Sequence, residues 1–149
     1  MVVLVLSCVY SPCCPSKQWY LMQSHTHCCH TGLYCRNRKS QLVKVSIPPS
    51  HLAFQIGETA QIHSGGVLQA TPHAVRGSSV AGVTRETFAV FMEPDWGEAM
   101  NCPEGVDPSA AQSQSSAENL PRGVPSLNSR WNSGMDFGEF TAATLNAYY

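Results

Sequence analysis

Between Gly32 and Pro94, apolar side chains recur at every second position in short runs, and Gly or Pro interrupts those runs every few residues. This is the period of a β-strand, whose successive side chains point to opposite faces. A chain so patterned has to build a sheet, and the shortness of the runs demands several strands. "GLYCRNRKSQLVKVSI" predicts two strands about a polar turn at 37–40, with Val43, Val45 and Ile47 alternating against Leu42, Lys44 and Ser46. Pro48 and Pro49 close that strand, and Leu52, Phe54 and Ile56 open the next on one face. Gly57-Glu58 reads as a turn, Thr59 to His63 as a strand, and Gly65-Gly66 as the strongest hairpin signal in the chain. "GVTRETFAVFMEP" predicts the longest strand, halted by Pro94.

Outside this region the pattern changes. Residues 1–31 form a cysteine-rich leader with no assignment. Its opening "MVVLVLSCVY" is too short to span a bilayer and lacks the basic start of a signal peptide, so a buried strand is the plainer expectation. Residues 95–130 are rich in Pro, Ser, Gly and Asn and read as a long surface connection, anchored by Trp96 and Trp131. In 131–149 a helix is expected. Asp136 followed by Glu139 is a capping-box start, and Phe137, Phe140, Thr141, Thr144, Leu145 and Tyr148 fall on one helical stripe that must dock on a neighbouring layer. The pattern is thus an all-β fold with a C-terminal helix, and it holds no repeat, GxGxxG, P-loop or GxSxG motif.

Composition narrows the function. Nine basic and ten acidic residues leave a formal charge of -1, so neither a nucleic-acid partner nor an anionic membrane is expected. Charged residues make up 13% of the 149, about half the usual share, as expected of a piece of a larger core. Seven cysteines, six of them in the first 35 residues, do not make an even disulfide framework and point to free thiols in a reducing, cytoplasmic compartment.

Two residues in the β region carry chemistry. Strand parity places Val83, Arg85, Thr87, Ala89 and Phe91 on one face, so Arg85 and Thr87 share a side that is otherwise apolar. A guanidinium there is costly unless paired, and its planar fork suits a carboxylate, either a bound oxoacid or a protein side chain. His73 follows Pro72 at the start of the preceding strand and faces the same way as Val75, with Ala74 and Arg76 opposite. A strand histidine is more often structural than a ligand, but a neutral imidazole is also the commonest metal ligand. A common cavity holding His73 and Arg85 is expected between neighbouring strands.

"IGETAQIHSGGVLQATPHAVRG" followed by "GVTRETFAVFMEP" resembles the C-terminal half of the Fe(II)- and 2-oxoglutarate-dependent dioxygenases, the isopenicillin N synthase-like superfamily, and is most similar to its plant-type branch. The segments "GLY", "LVKV" and "IGE" stand in the order that branch has, and "MDFGEFTAATLNAYY" resembles its last helix. The likeness covers about residues 32–149. It implies a partial double-stranded β-helix, or jelly roll, lacking its N-terminal half. It implies Fe(II) and 2-oxoglutarate as cofactors and hydroxylation or desaturation of a small organic substrate. It implies that His73 is a metal ligand and that Arg85 with Thr87 holds the distal carboxylate of 2-oxoglutarate, Thr87 standing where the family has Ser.

The family's metal site is a 2-His-1-carboxylate triad whose other two ligands come from an HxD motif upstream. His25, His51 and His63 are followed two residues on by His27, Ala53 and Gly65, and no HxD occurs in the chain. A truncated product with weak iron binding is therefore expected. Three alternatives stay open. A zinc module could use Cys13, Cys14, His25, His27, Cys28, Cys29 and His30, although no CxxC is present. A non-catalytic half-barrel could pair through exposed strand edges. A cupin-like site could use Glu58, His63 and His73.

Overall fold

The computed structural model describes residues 2–10, 31–37, 39–48, 51–79, 81, 84–113 and 120–149, with backbone alone for 2–10 and 84–88. In chain order the elements are β1 (Val2–Tyr10), β2 (Gly32–Arg36), β3 (Leu42–Val45), β4 (Ala53–Ile56), α1 (Glu58–His63), β5 (His73–Arg76), β6 (Thr84–Met92), α2 (Pro108–Gln112), a 3-10 turn (Leu127–Ser129) and α3 (Phe137–Tyr148). Two three-stranded sheets form, ordered β4-β1-β6 and β3-β2-β5. The expected strand-rich fold with a C-terminal helix is present, and the strand expected near the N-terminus is β1. The expected zinc donors at 13, 14 and 25–30 lie outside the described residues.

The chain divides into two compact units. A sheet unit comprises Leu4–Phe54 and His73–Val90, and a helical unit comprises Met1–Val3, Gln55–Pro72 and Phe91–Tyr149. In the sheet unit, β2 runs antiparallel to β3 with Cys35 opposite Val43, and antiparallel to β5 with Cys35 opposite His73. The β2–β3 turn is built by Asn37, whose Oδ1 accepts from Lys39 N at 3.0 Å and Gln41 N at 2.9 Å. Ser40 takes the left-handed φ of 58° that closes it, and its N–H donates to Asn37 O at 2.8 Å. The register puts Leu33, Cys35, Val43, Val45, His73 and Val75 on one face. Tyr34, Arg36, Leu42, Lys44, Ala74 and Arg76 occupy the other.

The helical unit has its own core of Ile62, Met100, Ala111, Leu127, Trp131, Phe137 and Phe140. Trp131 is fully buried, and its indole Nε1 donates to Met100 O at 2.8 Å, so the one polar atom of the ring is satisfied. The segment 95–130, expected to be a surface connection, supplies Met100, Ala111 and Leu127 to this core. It does so because α2, capped by Asp107 Oδ1 accepting from Ser109 N, turns Ala111 inward. Trp96, expected as an anchor beside Trp131, is instead 67% exposed.

The reading of 59–63 as a strand and Gly65-Gly66 as a β-hairpin is corrected. Glu58–His63 is a helix that ends into Gly65 and Gly66 at φ 59° and 85°. Tertiary hydrogen bonds select the helix. The buried Gln61 amide donates to Ala111 O at 2.6 Å, and its oxygen accepts from Ala70 N at 2.7 Å. A Cβ on Gly66 would stand 2.5 Å from Ala110 O, so the close approach of α1 and α2 requires glycine there.

The expected capping box on α3 is present in full. Asp136 Oδ1 accepts from Glu139 N at 2.7 Å, and Glu139 Oε2 accepts from Asp136 N at 3.0 Å. Only the first turns of its stripe pack: Phe137 and Phe140 are buried, whereas Leu145 and Tyr148 are 55% and 52% exposed. Among the described residues, no helix is long and apolar enough to cross a membrane.

Candidate functional site

His73 opens β5 immediately after Pro72, whose fixed φ leads the chain into an extended course. Its side chain is exposed and stands directly across from Cys35, on the apolar side of the β3-β2-β5 sheet with Leu33, Val43, Val45 and Val75. Two residues in direct register have Cβ atoms about 5 Å apart.

Arg85 and Thr87 lie at same-face positions of β6, but their side chains lie outside the described residues. The expectation that His73 and Arg85 sit on neighbouring strands is not met by the strand order. The hydrogen-bonded neighbour of β5 is β2, and β6 belongs to the other sheet, beside β1. The physical reason is competition for edges: the Val-rich β1 takes the place beside β6, while β2 pairs with both β3 and β5.

Among the described residues, no group of three or more His, Cys, Asp or Glu side chains could hold a metal ion. His73 alone does not fit an iron centre, which needs three protein ligands. In the alternative combination of Glu58, His63 and His73, the Glu58 carboxylate is committed elsewhere.

It is committed to Arg130, the most deeply buried charged residue among those described and one that sequence reasoning missed. Arg130 is 3% exposed. Its Nη1 donates to Glu58 Oε2 and Thr144 Oγ1, each at 2.9 Å. Nη2 donates to Glu58 Oε1 at 2.5 Å and Pro125 O at 3.1 Å, and Nε donates to Ser126 O at 3.3 Å. Every N–H of the guanidinium is thereby used, and its carbon lies 5.8 Å from the centroid of the Phe140 ring. A cation so saturated has no donor left for a ligand. Arg130 fastens α1 and α3 to the 125–126 turn. The only sequence signal for it was a lone arginine beside Trp131.

Among the described residues, two side chains titrate away from their ordinary values. Burial pushes the Cys102 thiol up, with the Asp107 charge adding to the effect. Asp107 is held low, first by the hydrogen bond from the Ser109 backbone and then by that from its side chain. Both belong to the approach to α2.

No family model, curated protein or solved structure matches this chain.

Proposed function

We propose that this chain carries the C-terminal part of an Fe(II)- and 2-oxoglutarate-dependent dioxygenase fold, a partial jelly roll whose whole acts on a small organic substrate. The observation that carries the reading is the sidedness of the β3-β2-β5 sheet. The imidazole of His73 is on the side of Leu33, Val43, Val45 and Val75, and the cations Arg36, Lys44 and Arg76 are on the reverse. A jelly roll turns its apolar sheet face inward, and a ligand imidazole has to be on that face. In this reading His73 supplies one nitrogen to the metal, and Arg85 with Thr87 receives the distal carboxylate of the oxoacid. The Fe(II) would supply oxygen activation when bound. The described residues offer one ligand where three are needed, which supports weak metal binding. The free thiols of Cys35 and Cys102 support a reducing, cytoplasmic setting.

A second reading, a non-catalytic binding half-barrel, is favoured by the same shortage of ligands and by the two four-residue strands, β3 and β5, at the edges of their sheet.

Mn(II) broadening of histidine ring signals, with and without 2-oxoglutarate, separates the two. The dioxygenase reading expects His73 to broaden first, 2-oxoglutarate to deepen the effect, and Arg85→Ala to abolish that deepening. Broadening of His73 no greater than that of His51 and His63, with no response to 2-oxoglutarate, leaves the binding half-barrel.

A further inference from the structure

The formal charge of -1 conceals a separation of charge between the two units. In the segments that make up the sheet unit, Glu86 is the sole acidic residue in the sequence. In those of the helical unit, Arg122 and Arg130 are the only Lys or Arg. Seven of the nine bases thus belong to one unit and nine of the ten acids to the other. Among the described residues, four of these cations lie on or beside one face of the sheet. Arg36, Lys44 and Arg76 project from one face of β3-β2-β5, where Lys44 and Arg76 are exposed, and Lys39 stands exposed in the adjoining turn.

The helical unit has a counterpart. The strip 95–98 is laced to the start of α3, Trp96 O accepting from Gly138 N and Glu98 O from Phe137 N, each at 2.9 Å. This brings the Trp96 ring beside the first turn of α3, edge-on to Phe137 with centroids 6.0 Å apart, yet 67% exposed. Glu93, Asp95, Glu98 and Glu139 are exposed in the chain around it. An indole plate beside carboxylates suits a guanidinium, which stacks on the ring and donates to the acids at once.

We propose that copies of this chain associate head to tail, the cationic sheet face of one docking on the Trp96 carboxylate surface of the next. The occupant is a second copy because both complementary surfaces belong to one sequence, and a net charge near zero leaves little repulsion between copies. The two surfaces differ, so the contact is heterologous and joins one copy to the next.

Sedimentation velocity of the full chain tests this, at about 20 mM and about 500 mM salt, where screening lengths differ several-fold. The weight-average sedimentation coefficient should climb with concentration at low salt and fall to the monomer value at high salt. Lys44→Glu with Arg76→Glu, or separately Asp95→Lys with Glu98→Lys, should weaken association at least tenfold. An equimolar mixture of the two reversed variants should restore it, which misfolded variants could not do. A chain that is monomeric under every condition overturns the proposal. So does association that survives high salt, which belongs to the apolar strand edges, or reversed variants that fail to complement one another.

Discussion

Arg130 and Glu58, separated by 72 residues in the chain, meet as a two-point ion pair in which the arginine side chain is 1% exposed and the glutamate 29%. The asymmetry in exposure decides what happens when the pair is broken. Removing the carboxylate strands a buried cation, the costly case for an ion pair in an apolar setting. Glu58→Gln should therefore lower unfolding free energy by about 3 kcal/mol. Arg130→Lys keeps the charge but cannot reproduce the fork, and should cost about 2 kcal/mol. Urea denaturation of both variants checks the pair of values. A loss under 1 kcal/mol for Glu58→Gln would place the pair among exposed salt bridges, about which the geometry says otherwise.

Gly66 and Gly138 offer a contrast between strain that cannot relax and strain that can. A Cβ on Gly66 meets the Ala110 carbonyl of the backbone, and φ there is 85°. Gly66→Ala should cost about 3 kcal/mol, from the conformation and the collision together. A Cβ on Gly138 meets Trp96 Nε1, the rim of an exposed side chain that can swing away. Gly138→Ala should stay within about 1 kcal/mol of the parent, since alanine also favours the helix. Thermal melts in parallel will show the difference, and equal losses would refute it.

Cys102 should be a slow thiol. Its pKa is raised first by burial and second by the Asp107 charge, so less thiolate is present at alkaline pH than in a free cysteine. Because the folded value is the higher one, the folded state favours the protonated thiol. Any stability this lends is intact below the ordinary thiol pKa and is lost as pH rises through the folded value. Asp107→Asn removes the smaller cause and keeps a competent helix cap. Iodoacetamide labelling at about pH 8.5, read by peptide mass, should find Cys102 faster in Asp107→Asn than in the parent but still slower than a model thiol.

Trp131→Phe keeps most of the buried ring and deletes the bond from Nε1 to Met100 O. A buried carbonyl is left unpaired and a small void remains, and together these should cost about 2 kcal/mol. A shift confined to fluorescence, with the urea midpoint unchanged, would mean that water satisfies the carbonyl.

Some of this architecture is legible residue by residue. The helix at 137–148 follows from Asp136 and Glu139 alone, because a capping box is a contact over three residues. The β2–β3 pair follows from Asn37, whose carbonyl oxygen reaches two backbone N–H groups within its own turn. The fate of 59–63 was not legible. Five residues display neither period for long enough, and the deciding contacts of Gln61 lie at Ala70 and Ala111. Of the candidate site, only strand membership and sidedness could be read ahead. His73 shares a face with Val75 because parity is local, but parity does not say which strand lies alongside.

The sequence by itself determined where most of the strands and the last helix occur, since alternation, turn chemistry and caps act within a few bonds. Only the tertiary structure decided that β5 pairs with β2 while β6 lies beside β1, that Met100 and Leu127 become core, and that Arg130 spends all its donors inside the fold. These outcomes depend on which distant surfaces compete for the same edge or the same charge, and that competition is resolved by burial and hydrogen-bond satisfaction over the whole chain.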